Sequence, residues 1–208
     1  MTQYIVIQGP TTYYKELIDA YKSIPNIIIS TFNNMPVESI NELSTHFPVI
    51  VSDSNINPGK GNLNYQCMSS YNGLDYVKNL GTTHALKLRS DLIISDPQKF
   101  MNILEKYNKL TFLAWHGEGY LVDYLNYGPI NDMLNFWNLQ ICNDKFGELN
   151  LLEHYCQSAN ISPITYENIK TKISFFMEDL IHSEIRIYWL KYQIYISDYY
   201  KYECYIYK

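Results

Sequence analysis

Near the middle of the chain, "ALKLRSDLIIS" (Ala85 to Ser95) alternates apolar and polar residues, so Lys87, Arg89 and Asp91 fall on one face of an extended segment. Three charges on one side of a strand in a globular interior need partners or a ligand. Asp91, at the strand end, is of the type that binds a divalent cation or a ribose hydroxyl. Lys87 or Arg89 beside it could pair with phosphate oxygens or hold the carboxylate in place. The same residues suit a purely structural Arg–Asp pair that neutralises a half-buried strand end, since buried ion pairs also occur as scaffolding. The pattern alone leaves both readings open.

Other candidates lie at the ends of apolar runs. Gln8-Gly9-Pro10 follows "YIVI" and could let a nucleotide approach the backbone, although Gly-Pro after a strand is commonly just a turn. Asp53 closes "PVIVS" as a ligand or as the cap of the next element. Phe32 could stack on a base or pack in the core. In "GYLVDYLNYGPINDMLNFW", Asp123 and Asp132, with Glu148 and Glu153 further on, offer a general base for a sugar hydroxyl. Asp132 has the simpler role of a charge at a helix N-terminus. His116 and His154 have no HExxH, no paired-His spacing and no nearby Cys, which disfavours a zinc site. GxSxG, GxxxxGK[ST] and GxGxxG do not occur, which disfavours an α/β-hydrolase, a P-loop NTPase and a dinucleotide fingerprint.

The elements that must position these groups read as strand, helix, strand, helix, strand. Tyr4–Ile7 is an apolar run, and Tyr14, Leu17, Ile18 and Tyr21 follow at helical spacing. Asn26–Thr31 is a second strand, Val37–Leu43 a second helix and "FPVIVSDS" a third strand. Leu63–Leu80 is helical with Gly81 as its C-cap, residues 84–94 form the fourth strand, and Asp96-Pro97 starts the next helix. Leu110–Trp115 reads as a strand, and a β-like alternation surrounds Ile185, Ile187 and Trp189. This order predicts an α/β fold with a mostly parallel, Rossmann-like central sheet flanked by helices. Ligands of such sheets gather outside the carboxyl ends of the strands. That rule groups Gln8-Gly9-Pro10, Ser30-Thr31-Phe32, Asp53 and Asp91.

Totals bound the function. At 208 residues, with neither a linker nor a repeat, one domain over 1–208 is the simplest reading. A net charge of −5 argues against a nucleic-acid partner, whose footprint would be a basic excess. The four scattered cysteines (Cys67, Cys142, Cys156, Cys204) suit reduced thiols. Without a signal-peptide pattern or an apolar run of about 18–20 residues, a cytoplasmic protein is expected, with contact at a membrane face compatible with that reading. The 21 tyrosines suit carbohydrate, which stacks on rings, but they also track a composition rich in Asn, Ile and Lys.

The succession of motifs resembles the WavE family, lipopolysaccharide-core proteins regarded as glycosyltransferases. "YIVIQGP" and "IIISTFNN" are similar to that family's opening. "NLNYQCMSSYNGLDYVKNLGTTHALKLRSDLIIS" is similar to its Asn-x-x-x-Gln-x-x-Ser segment leading to a Lys-x-Arg-[Ser/Thr]-Asp strand. The likeness covers roughly residues 4–140. It implies a GT-A-like fold, with a nucleotide-sugar donor on the half 1–100 and a glycan acceptor on the half 101–208. It places Gln8, Gly9, Pro10 and Lys87 at the nucleotide, Asp53 at the base or ribose, Asn62 and Gln66 along the donor side, and Asp123 at the acceptor. Where GT-A enzymes usually carry Asp-x-Asp, this chain has Arg89-Ser90-Asp91, with a single acid. Two expectations follow. Asp91 holds Mn²⁺ or Mg²⁺ alone with help from the diphosphate and water, or Lys87 or Arg89 stabilises the leaving diphosphate without a metal. A catalytically inactive nucleotide- or glycan-binding module is the alternative from another class. A nucleotidyltransferase is disfavoured by the absence of a glycine-rich loop with a basic residue after the first strand.

Overall fold

The computed structural model describes residues 3–116, 120–138 and 147–198. Cys142, Cys204 and the Tyr-rich end beyond 198 lie outside the described residues, as do the side chains of His116 and Glu148. The elements run β1 (Tyr4–Gln8), α1 (Tyr14–Tyr21), β2 (Ile27–Phe32), α2 (Val37–Ser44), β3 (Val49–Ser52), α3 (Leu63–Asn79), β4 (His84–Arg89), β5 (Leu92–Ile94) and α4 (Pro97–Leu104). They continue with β6 (Leu110–Phe112), β7 (Trp115–His116), β8 (Tyr120–Leu121), β9 (Leu125–Pro129), α5 (Ile130–Trp137), α6 (Gly147–Ser158), α7 (Tyr166–Ile169), β10 (Ile173–Phe175), α8 (Met177–His182), β11 (Ile187–Trp189) and β12 (Ile194–Tyr195).

Seven strands form one sheet in the order β10-β6-β9-β4-β1-β2-β3. Every neighbouring pair is parallel except those made by β9, which runs antiparallel to β4 and β6. This is the mostly parallel α/β architecture the sequence predicts. The apolar runs of β1 and β2 are buried because helices cover both faces. Ile5, Ile7, Ile27, Ile29, Leu86 and Leu88 pack with α1, α2 and α4, whereas Val6, Ile28 and Ala85 pack with α3, α5 and α6. Period two therefore turns Lys87 into the second core, beside Ala85.

One difference from the sequence reading bears on the site. Residues 84–94 are not a single strand. β4 ends at Arg89, the chain turns at Ser90-Asp91, and β5 leaves for a second sheet of order β12-β11-β5. Alternation correctly pairs Lys87 with Arg89, but Asp91 stands beyond the strand end, set by the turn and by β11. The expected caps form elsewhere: the Asp96 carboxylate accepts from Lys99 N at 2.9 Å at the start of α4, and Gly81 takes φ +86° after α3.

Close approach is built in with small residues. On β9, a Cβ at Gly128 would stand 2.9 Å from Leu110 Cα and 3.1 Å from the Lys109 carbonyl, both backbone atoms that cannot yield without moving β6. Gly128→Ala is therefore expected to destabilise the protein by about 2 kcal/mol, from overpacking. A urea titration showing an unshifted midpoint would contradict that packing.

Candidate functional site

Of the groups selected by the strand-end rule, those at the ends of β1, β2 and β4 adjoin one another at the carboxyl edge of the sheet, whereas Asp53 and Phe32 take other partners. Ser90 N donates to Gln8 O at 2.8 Å, Gly9 N to Ser30 O at 3.1 Å, and the Ser90 hydroxyl to Pro10 O at 2.8 Å. Gly9 has φ +136°, and a Cβ there would lie 2.5 Å from Ser90 Oγ, so both conformation and space require glycine. Pro10 is exposed and Gln8 buried. At the end of β3, exposed Asp53 accepts from Asn33 Nδ2 at 3.3 Å and from Asn55 N at 3.0 Å. Phe32 is buried against Tyr65, ring centroids 4.6 Å apart, and takes the core role rather than standing open to a base. Asn62 adopts the left-handed conformation ahead of α3.

Arg89 and Asp91 form the first centre. Nε and Nη2 of Arg89 donate to the two carboxylate oxygens of Asp91 at 3.0 and 2.7 Å, the bidentate fork that favours Arg over Lys. Trp189 Nε1 adds a third donor to Asp91 Oδ2 at 2.9 Å, and Leu190 N donates to the Asp91 carbonyl at 2.9 Å. The guanidinium carbon lies 4.9 Å from the Tyr124 ring centroid and 5.7 Å from that of Trp189. Burial opposes the charge of Arg89, but the adjoining Asp91 carboxylate outweighs it and raises the guanidinium above its ordinary range. The sequence gives no sign that Trp189 and Tyr124 belong here. The alternation around Ile187 and Trp189 betrays a strand, but not which side chain meets Asp91.

Asp123 and Lys87 form the second centre, one residue pair back along β4. The Lys87 side chain is entirely buried. Its Nζ donates to the Asp123 backbone carbonyl at 3.0 Å and sits 4.2 Å from the Trp137 ring centroid. Gln66, on the first turn of α3, donates its Nε2 to Asp123 Oδ2 at 2.8 Å. Asp123 Oδ1 takes no hydrogen bond from the described residues. Next to Lys87 in the β4–β9 register lies Asn126, whose Oδ1 is buried without a partner, as is Trp137 Nε1. Desolvation pushes the Lys87 ammonium down to about 8, against the opposing field of Asp123. Fully enclosed in this way, Lys87 acts on the Asp123 backbone and does not reach the surface, so the place at the nucleotide expected for it from sequence is not open to it.

Other candidates stand apart. Asp132 is in the first turn of α5, at the end of β9 that pairs with His84, a strand length of about 16 Å from Arg89. It lines a polar cavity of about 470 Å³ with Lys109, Asn135, Tyr155 and Lys172, at the opposite edge of the sheet. Glu153 and His154 are half-buried on α6. Among the described residues, no group of three or more His, Cys, Asp or Glu is placed to share a metal ion. Cys67 and Cys156 are buried as thiols. No described helix is long and apolar enough to cross a membrane.

The fit of Mn²⁺ or Mg²⁺ to Asp91 can be tested on its partners. Three N–H donors already occupy the carboxylate, and a hard dication prefers several anionic or carbonyl oxygens. A dication could take this carboxylate only if Arg89 and Trp189 first gave up their hydrogen bonds to it, since the guanidinium beside it repels the ion. In this arrangement Asp91 does not fit a dication.

Fold and site together define an α/β protein with a cluster of charged side chains at the carboxyl edge of a mostly parallel sheet. No family model and no curated protein matches the chain, so the WavE likeness rests on the residues quoted above. Three similar solved structures are HddC from Yersinia pseudotuberculosis complexed with GMP-PN (10% identity, TM-score 0.45, 74% of this chain and 86% of that one), a cytidylyltransferase from Leptospira borgpetersenii (12%, 0.47, 84% and 76%) and an active-site mutant of LgtC (10%, 0.45, 84% and 72%).

Lys87 yields a stability prediction. A lysine whose native value is lowered binds fewer protons folded than unfolded, so stability rises with pH between about 8 and the unfolded value near 10.4. Below about 8 the buried charge opposes folding by about 3 kcal/mol. Lys87→Met is expected to be at least as stable as the parent at pH 7 and to lose the rise between pH 8 and 10. Urea unfolding at both pH values checks this; a parent-like rise in the variant would assign the titration to another group.

Proposed function

We propose that the protein is a glycosyltransferase that moves a sugar from a nucleotide-diphosphate donor to a glycan hydroxyl. The observation that carries this reading is the pairing of an Arg fork and a buried carboxylate at the sheet's carboxyl edge. Arg89 N bonds the Tyr124 carbonyl at 3.0 Å, and Asp123, the residue before Tyr124, contributes to the field on the guanidinium. Arg89 receives the diphosphate, Gln8, Gly9 and Pro10 flank the nucleotide, and Asp53 meets the base or ribose. In the transfer, the acceptor oxygen bonds to the anomeric carbon and the sugar–phosphate bond breaks. The diphosphate leaves with the bonding pair, and the hydroxyl proton passes to Asp123 Oδ1. Gln66 fixes the other carboxylate oxygen, Lys87 holds the backbone of the same residue, and Asp91 with Trp189 keeps Arg89 in place. Surface-polysaccharide or other glycoconjugate assembly, inside the cell, is the setting that the WavE-like order of motifs supports.

A second reading has its own observation. Asp91 and Asp123 are both engaged by internal partners, and one acid stands where two are usual. A module that binds nucleotide or glycan without turnover would tolerate this. A panel of UDP-, GDP- and CDP-sugars, read by thermal shift and by release of nucleoside diphosphate, separates the two. The transferase reading expects binding and release. Asp123→Asn, which keeps the backbone carbonyl that Lys87 uses, should lower transfer by about 100-fold or more while donor affinity stays within about threefold. Binding with no release in the parent would establish the module instead.

A further inference from the structure

Arg89 has five N–H bonds in a planar fork, and two of them go to Asp91. The other three have no acceptor among the described residues, and the side chain keeps 28% of its surface exposed. The Nε edge is closed by the carboxylate, and the aromatic rings of Tyr124 and Trp189 stand against the guanidinium. What is left is the Nη1–Nη2 edge, whose two parallel N–H vectors match two oxygens of a phosphate. The carboxylate points the same way. The oxygens of Asp91 are taken by Arg89 and Trp189, which leaves them unsuited to a dication, while Arg89 has unused donors for an anion.

We infer that the open edge of Arg89 is a diphosphate site that works without a divalent cation, Asp91 serving as the clasp of Arg89 and not as a metal ligand. This rests on the nucleotide-sugar reading only for the identity of the natural ligand; the anion chemistry stands on the Arg89 geometry itself. Asp91 neutralises part of the guanidinium charge but fixes its plane, which a freely rotating side chain would have to do on binding. Trp189 orders the clasp, so the site is completed by a residue far along the chain.

Calorimetric titration of the full chain with inorganic pyrophosphate, UDP and GDP, in excess EDTA and in excess Mn²⁺, tests the inference. Pyrophosphate and at least one nucleotide should bind in EDTA with affinity within about threefold of that in Mn²⁺. Arg89→Lys keeps the charge but loses the fork, and with Arg89→Gln should weaken binding about tenfold or more in both conditions. If either variant fails to fold by circular dichroism, the EDTA and Mn²⁺ comparison on the parent decides alone. Binding seen only with Mn²⁺ overturns the inference and leaves the nucleotide reading intact. Binding of pyrophosphate but of no nucleotide in EDTA supports the anion site and removes the nucleotide reading. Absence of binding in every condition, or affinity unchanged in Arg89→Lys, overturns the anion site.

Discussion

The site depends on one costly arrangement: a lysine ammonium closed inside the second core. Lys87 opposes folding at neutral pH, yet it is the group that ties the Asp123 carbonyl to the centre of the sheet. A methionine would fill a similar volume without burying a charge, but would not bond that carbonyl. Rule-breaking of this kind, with buried Asn126 Oδ1 and Trp137 Nε1 also unsatisfied nearby, concentrates where geometry matters more than stability. β9 makes the arrangement possible. Running against its neighbours, it brings residues 123–125 back to the same edge where the parallel strands end.

Two kinds of constraint therefore meet at Arg89. The sheet supplies position, because β1 and β4 are in register and the Gly9 turn lets the Ser90 backbone pack against Gln8. The second sheet supplies orientation, through the indole of Trp189 and the pairing of β5 with β11. Parallel sheets with crevices at their carboxyl edges recur across unrelated chemistries, so what the crevice does is argued from its side chains and not from the sheet.

Much of this was legible from local pattern. Apolar runs ending in Gly9-Pro10, Ser30 and Ser52 disclose a parallel sheet, and the carboxyl-edge rule groups Gln8, Asp53 and Asp91 from sequence, although it takes 84–94 as one strand and does not single out Arg89. Three things were not. Alternation carries Asp91 onto the face of Lys87 because period two cannot see that the chain turns at Ser90. The direction of β9 depends on its partner strands, so "YLVDYLNYGP" reads equally well as a strand or a loop. The contacts of Trp189 with Asp91 and of Gln66 with Asp123 span 98 and 57 residues, and no local signal encodes such pairs. Lys87 is the instructive case. Its type and place were evident, but whether the ammonium faces crevice or core follows only from which helix lies over that face of the sheet.

The pairing of β5 with β11 also orders events in time. During synthesis at about 5–20 residues per second, β1 to β5 leave the ribosome roughly 5–20 s before Trp189. The first four parallel strands can pair in that interval, because all four are already made, even though β1 and β4 pair across a long stretch of chain. The Arg89 fork cannot acquire its indole-braced clasp until β11 arrives. The nascent chain thus gains the scaffold around Arg89 first and its orienting indole later, so the open edge of the guanidinium is set only once β11 has been made.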